Sequence, residues 1–363
     1  MFEAALAAHK AGDFAEADAR YREVLRGGEN ADAYGNLGLI QWRRGAVAEA
    51  EILLRRAVQL RGDMPGLRYN LGRFLWLTGR LAEAEPELRA VLDLDPAFPD
   101  AAVNLGNVLL ALGKADEGWK FYQARPERRD SPALKLPFPE WRGEPLQGKR
   151  LFVGTEQGFG DHILAARYVA GLEAATVTLC THRPLARLFA QLPATILPRD
   201  PGVPILVEDH DYWTLPLSLP RWARPVPAPY LTASPRSGLG QVGVVWRGNA
   251  LPDPGRSLPD ELGLRLMELP GAVCLHPEQS GAADFLDTAE IIAGLDRVVT
   301  IDTSVAHLAG AMGKPVLLLL QHYLSDWRWT LPWYPSVEIL RQTSPGDWTG
   351  VVAAVRDRLG GIG

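Results

Sequence analysis

Three stretches of the chain place glycines, hydroxyls and ionisable side chains where an apolar run gives way to a helical pattern. The first is Gly154-Thr155-Glu156-Gln157-Gly158-Phe159-Gly160-Asp161-His162. Its glycines permit close backbone approach, and a helix start presents free N–H groups that favour an anion. The glycine spacing differs from the dinucleotide fingerprint, and no ribose-binding acid follows. Asp161 has two readings: a helix N-cap worth about 1 kcal/mol, or a carboxylate at the mouth of a cleft, placed as a general base.

The second stretch is Thr300-Ile301-Asp302-Thr303-Ser304-Val305-Ala306-His307. Asp302, Thr303 and Ser304 fall where a phosphate or sugar would meet a helix N-terminus, with His307 in the first turn able to donate to a pyrophosphate. The competing reading is ordinary capping with His307 packed locally. The third runs from Val242-Gly243-Val244-Val245-Trp246-Arg247-Gly248-Asn249 to Gly255-Arg256-Ser257. Arg247 and Arg256 are either solvated or paired with phosphate through parallel hydrogen bonds. A fourth cluster, Asp326-Trp327-Arg328-Trp329 with Trp333-Tyr334, holds three of the 11 tryptophans. Trp327 and Trp329 can stack on a base or sugar, or simply pack between lobes. Asp209-His210-Asp211 looks like a metal-holding Asp-x-Asp but is too short to be specific; we read it as structural and expect no metal site. No Gly-x-Ser-x-Gly elbow of a serine hydrolase occurs.

The elements needed to hold these motifs are legible around them. Apolar runs at 150–153, 176–180, 204–207, 242–246, 272–275, 298–301 and 316–320 alternate with helical stretches such as 161–172, 288–295 and 305–312. That alternation predicts βαβ units and parallel sheets covered on both faces, with ligands at the carboxyl ends of the strands. A connector over 230–238 divides the region into two lobes. Before it, the proline-rich, charged stretch 126–148 predicts a linker whose Trp141 packs back onto a domain.

The first third repeats itself. Asn36-Leu37-Gly38 recurs as Asn70-Leu71-Gly72 and Asn104-Leu105-Gly106, each 34 residues on. Gly45-Ala46-Val47-Ala48-Glu49-Ala50 recurs as Gly79 to Ala84 and Gly113 to Gly118, with an earlier copy from Gly12 to Ala17. Small residues at Gly38 and Ala50 let two helices approach closely, and Gly45 suits the turn between them. The period and pattern resemble the tetratricopeptide repeat. Trp119, Phe121 and Tyr122 are expected to cap the stack. Asn36, Asn70 and Asn104 form a ladder that either hydrogen-bonds an extended peptide or bonds within its own repeat.

The composition narrows the function classes. The 363 residues are 47% apolar and 22% charged, with a net charge of −5. A phosphate-tracking nucleic-acid binder carries a basic excess, so nucleic acid is not the expected partner. No run approaches the roughly 20 apolar residues of a membrane span. Two cysteines, Cys180 and Cys274, exclude a disulfide scaffold and a four-cysteine zinc site. No signal peptide is evident, so the expected location is cytoplasmic.

Repeats followed by these motifs resemble the bacterial relatives of O-linked N-acetylglucosamine transferase, and the second region is similar to the heptosyltransferase-like glycosyltransferases. Residues 156–161, 242–249 and 301–310 carry the resemblance, and the run from Asp326 to Ser336 looks like the repeat-linked subgroup. It implies a GT-B glycosyltransferase with two Rossmann-like lobes: repeats at 1–125, linker at 126–148, an acceptor-side lobe at 149–238 and a nucleotide-sugar lobe at 239–363. The implied reaction is metal-independent, inverting transfer from a UDP-, GDP-, ADP- or CMP-sugar to an acceptor hydroxyl. On this resemblance Asp161 is the base, Asp302 binds donor hydroxyls, and Thr303, Ser304 and His307 hold the phosphates. Many members have glycine where Ser304 stands, and a lysine where Arg256 is the nearest cation after Arg247. The expected acceptor is a protein recruited by the repeats, such as flagellin or another surface protein. The alternatives are a lipid or polysaccharide precursor, or a repeat scaffold with a degenerate transferase domain.

Overall fold

Helical periodicity with a glycine every turn-pair produces a run of antiparallel helices over the first third of the chain. In the computed structural model, which describes residues 1–172, 174, 176–200, 202–203, 207–238, 240–249, 254–323 and 326–360, these are α1 (Phe2–Lys10), α2 (Phe14–Arg26), α3 (Ala31–Arg43), α4 (Val47–Leu60), α5 (Pro65–Leu77), α6 (Leu81–Leu94), α7 (Pro99–Ala111) and α8 (Ala115–Tyr122). The turn glycines Gly12, Gly45, Gly79 and Gly113 all adopt φ between 77° and 80°, a left-handed conformation costly for any other residue. The repeated small residue inside the helix is explained by contact: a β-carbon on Gly38 would lie 2.9 Å from Leu54, one on Gly72 3.0 Å from Leu88, and one on Gly106 2.7 Å from the Tyr122 backbone nitrogen.

Successive repeats are also laced by ion pairs at one repeating position. Arg22 meets Glu49, Arg55 meets Glu83 and Arg89 meets Glu117, each at 2.6 Å. Each exposed pair is worth about 0–1 kcal/mol; the apolar contacts of Leu54, Leu71, Phe74 and Leu88 carry the stack.

This unit, residues Met1–Arg125, also includes Tyr323–Leu331. Trp327 lies against Trp119 and Tyr122, with ring centroids 5.0 and 5.7 Å away, and its Nε1–H donates to Asn107 Oδ1 at 3.1 Å. The stack is therefore capped by α8 together with a segment from much later in the chain. That corrects the assignment of 323–331 to the nucleotide-sugar lobe.

The second unit covers Pro126–His322 and Pro332–Gly363. The stretch read as a linker begins with the short α9 (Pro126–Arg129) and ends as part of this unit. The Trp141 N–H donates to Trp213 O at 2.8 Å, and Trp141 is buried.

Two parallel sheets follow. The first contains β1 (Arg150–Val153), α10 (Phe159–Val169), β2 (Thr176–His182), α11 (Ala186–Phe189), β3 (Thr195–Arg199) and β4 (Tyr212–Thr214), with strand order β3-β2-β1-β4. The second contains β5 (Val242–Val245), α12 (Asp260–Met267), β6 (Ala272–Cys274), α13 (Pro277–Ser280), α14 (Phe285–Gly294), β7 (Arg297–Ile301), α15 (Ser304–Ala311), β8 (Val316–Leu320), β9 (Val337–Arg341) and α16 (Thr349–Gly360), with order β6-β5-β7-β8-β9. In the registers, Val153 lies opposite Leu179 and Ile301 opposite Leu319. Strands β3, β4 and β9 were not anticipated, and the strand expected at 204–207 falls mostly outside the described residues. Among the described residues no helix is long and apolar enough to cross a membrane. Cys180 and Cys274 are buried and unbridged.

Candidate functional site

The three motifs sit where parallel strands β1, β5 and β7 end, and two close approaches bring them together. Gly160, at the start of α10, faces His307 of α15: a β-carbon there would lie 2.7 Å from His307 Cδ2 and 3.4 Å from Nε2. Only glycine lets the two helix starts meet this closely. On the other side, a β-carbon on Gly248 would lie 3.4 Å from both Arg256 Nε and Thr303 Cγ2. Asp161, Arg256, Thr303, Ser304 and His307 therefore belong to one neighbourhood at the carboxyl ends of the two sheets.

The loop after β1 is held tightly. Gln157 adopts φ 54°, unusual for a residue with a side chain, and its carbonyl lies 3.1 Å from His182 Nε2. Buried Glu156 accepts the Leu217 N–H at 2.7 Å through Oε1. Backbone held in a sparsely populated region is a feature concentrated at functional loops. The Gly158 N–H donates to Asp161 Oδ2 at 3.2 Å. Asp161 is thus a part-buried N-terminal helix residue that caps its own helix.

His162 follows it and is buried. Its Nε2 accepts the Glu156 N–H at 3.4 Å and lies 3.1 Å from Thr155 Oγ1, while Nδ1 lies 3.1 Å from Thr181 Oγ1. Burial, with the neighbouring His182 adding to it, pushes its pKa down to about 3, so it stays neutral.

In the second motif, Thr303 takes extended backbone and opens α15, with its hydroxyl 3.2 Å from that of Thr300. Its side chain does not cap the helix, which leaves the ordinary-capping reading without support for this residue. Asp302 precedes it in the turn and Ser304 is the first helical residue. His307 is 3% exposed, with Nδ1 3.1 Å from the Tyr334 hydroxyl.

The two arginines of the third motif diverge. Arg256 Nη2 donates to Asn249 O at 2.8 Å, and the Gly248 N–H donates to Ser257 Oγ at 3.1 Å, which keeps Arg256 folded over the loop beside Thr303. Arg247 lies over the Trp246 ring, 5.4 Å from its centroid, and its Nε is 3.6 Å from Asp260. Arg247 is therefore drawn toward α12, and among the described residues no hydrogen bond or ion pair joins it to the other motif residues.

The aromatic cluster splits. Trp327 is 1% exposed and its ring is covered by Trp119, Tyr122 and the Arg328 guanidinium, so a stacking role for Trp327 is withdrawn. Trp329 is likewise buried in the helical unit. Tyr334 instead joins the site from the second unit, packed against Gly310 and His307. Beneath it, buried Arg167 donates to Trp333 O at 3.0 Å and Val226 O at 3.1 Å and lies over the rings of Tyr230, Trp333 and Tyr334. The sequence reading assigns no role to Arg167, Tyr230, Glu156 or His162. Glu156 and His162 at least stand inside the first motif.

Two other motifs resolve locally. Asp211 accepts the Arg150 N–H at 2.8 Å and Lys149 Nζ at 3.0 Å, and His210 lies 2.9 Å from Thr178 Oγ1. In the asparagine ladder, Asn104 Nδ2 donates to Tyr69 OH at 3.1 Å, and Asn36 hydrogen-bonds near the Tyr21 hydroxyl. Asn70 makes no such bond among the described residues.

Protein FlbA of Caulobacter vibrioides is 27% identical over 317 residues, 69% of this chain and 53% of FlbA, so the chain spans about half of that relative's length. The crystal structure of YrrB, a TPR protein with an unusual peptide-binding site, is 26% identical and covers 33% of this chain and 63% of its own at a TM-score of 0.31. That of MamA is 24% identical and covers 32% and 69% at a TM-score of 0.31. Residues 2–65 and 75–136 match the tetratricopeptide repeat, and the N-terminal helices are tetratricopeptide repeats followed by an α/β region of parallel sheets.

Proposed function

We propose that the chain is a glycosyltransferase of the two-lobed GT-B type, using a nucleotide sugar and acting on a protein held by the repeats. Tetratricopeptide repeats point to a protein partner. The observation that carries the transfer chemistry is the meeting of three strand-to-helix loops through Gly160–His307 and Gly248–Thr303.

Transfer breaks the bond between the anomeric carbon and the donor phosphate while the acceptor oxygen bonds to that carbon. Asp161 takes the acceptor hydroxyl's proton. The leaving phosphate's negative charge is met by Arg256, by the free N–H groups opening α15 and by the hydroxyls of Thr303 and Ser304. Asp302 binds donor hydroxyls. A UDP-, GDP-, ADP- or CMP-sugar fits this scheme, and no step in it calls for a metal.

Ligand binding to the native state raises its melting midpoint by mass action. A thermal-shift panel of nucleoside diphosphates and nucleotide sugars, with and without magnesium, should give a magnesium-independent shift with one base. No shift at millimolar ligand sinks the proposal. A second reading, a repeat scaffold with a degenerate transferase domain, draws support from the bond that Asp161 spends on Gly158. Donor binding without turnover favours that reading.

A further inference from the structure

An open cleft of about 310 Å³ lies within the repeat unit, between the ends of α1 and α3 and beside α5. Its walls include His9, Phe14, Leu39, Trp42, Arg43 and Arg73, and no carboxylate lines it. The Arg43 guanidinium lies 4.4 Å from the Phe14 centroid, and that of Arg73 lies 5.5 Å from the Trp42 centroid. The cleft thus presents aromatic walls with two cations fixed on them.

Those two arginines differ from most others of the unit, Arg26 outside the cleft being a further exposed arginine with no ion pair among the described residues. Arg22, Arg44, Arg55, Arg80 and Arg89 of the same unit are each ion-paired to Asp or Glu. Arg43 and Arg73 are exposed and form no ion pair among the described residues. Chain position is not the cause, since adjacent Arg44 pairs with Asp18 and donates to Phe14 O at 3.0 Å. In a chain of net charge −5, two uncompensated arginines over one aromatic cleft are a local positive site. Arginine is preorganised for bidentate carboxylate pairing, and aromatic and arginine side chains dominate binding energies at interfaces.

We infer that this cleft docks an acidic protein segment carrying an apolar or aromatic side chain. The segment's carboxylates pair with Arg43 and Arg73, and its apolar side chain lies on Trp42 and Leu39. The inference rests on the recruitment half of the proposed function and not on the transfer chemistry.

The test uses the full chain and a fluorescein-labelled peptide of sequence Gly-Glu-Asp-Phe-Glu-Asp-Leu-Glu-Gly, read by anisotropy at low salt. Saturable binding is expected. It should weaken at least about tenfold when Arg43→Glu and Arg73→Glu are combined, since a lost charge-assisted bond is worth roughly that much. Arg26→Glu, a change at an exposed arginine outside the cleft, should leave it unchanged. A peptide with every acid replaced by lysine should not bind. The double variant must keep its helical circular dichroism; a single Arg73→Gln variant, which removes charge without reversing it, gives the same reading if it does not. No binding by the unaltered chain, equal binding by the double variant, or tighter capture of a single-stranded oligonucleotide overturns the inference. Nucleotide-sugar thermal shifts in the double variant should be unchanged, so loss of donor binding and loss of peptide binding separate cleanly.

Discussion

His307 Nδ1 lies 3.1 Å from the Tyr334 hydroxyl, and counting donors along that chain assigns the imidazole proton. Tyr230 donates its only hydrogen to Ile163 O at 3.0 Å, an atom that can only accept. The Tyr334 hydroxyl, 3.4 Å from Tyr230, must then be the donor between them; the reverse would set two buried lone pairs face to face. Toward His307, Tyr334 accepts, and Nδ1 carries the hydrogen. Burial pushes Tyr230 up to about 12 and Tyr334 well above its ordinary value, so both phenols stay protonated. The ring edge of His307 that carries Cδ2 and Nε2 faces Gly160.

Replacing Tyr334 by Phe keeps the ring against Gly310 and removes the acceptor. Nitrogen-15 correlation spectra should show His307 as the Nδ1–H tautomer in the unaltered protein and a loss of that preference in Tyr334→Phe. Stability should fall by about 1–3 kcal/mol, the cost of depriving a buried donor of this partner. An Nε2–H tautomer in the unaltered protein would contradict the donor count.

Asp161→Asn separates the two jobs of this side chain. An amide oxygen still accepts the Gly158 N–H, so the helix cap and melting midpoint should survive. Proton abstraction should not, and transfer should drop by roughly 10²–10⁴-fold. Asp161→Ala loses the cap as well, at a cost of about 1 kcal/mol. Unchanged turnover in Asp161→Asn rules out the base assignment.

The two loop arginines should behave differently. Arg256 lies beside Thr303, whereas Arg247 is drawn to Asp260. Arg256→Ala should weaken nucleoside diphosphate binding about tenfold or more, as expected for losing a charge-assisted bond. Arg247→Ala should change it less than threefold. Calorimetric titration of both variants decides; the opposite ranking would move the phosphate site toward α12.

Legibility in the sequence followed locality. Gly38, Gly72 and Gly106 recur because each repeat solves the same helix contact, so spacing alone exposes them. The central strands β1, β5, β7 and β8 are short apolar runs because both their faces are buried. Three of the four edge strands lack that signature; β6, the fourth, keeps a short apolar run. β3 carries Pro198 and Arg199, β4 has only three residues, and β9 buries only Leu340. Trp327 was misread for a related reason: its partner Asn107 lies 220 residues upstream, and no local pattern announces it. Tyr334 touches His307 across 27 residues and two strand ends. Motif spacing identifies what stands at a helix start; what packs behind it is a property of the fold.

His162 makes stability depend on pH in a definite direction. In the unfolded chain its pKa is about 6.5, and in the folded chain burial lowers it to about 3. Between those values the unfolded state binds a proton that the folded state refuses, so stability rises with pH. The full contribution is present above pH 6.5 and is lost progressively as pH falls toward 3, at up to about 1.4 kcal/mol per unit. Urea unfolding at stepped pH should show that loss in the unaltered protein. His162→Gln, which does not titrate, should start less stable at pH 8 because it disturbs the bonds to Glu156 and Thr181. Its curve should then be flatter below pH 6.5. Parallel curves for the two proteins would mean that His162 is protonated inside the fold and that the loop after β1 opens to admit water.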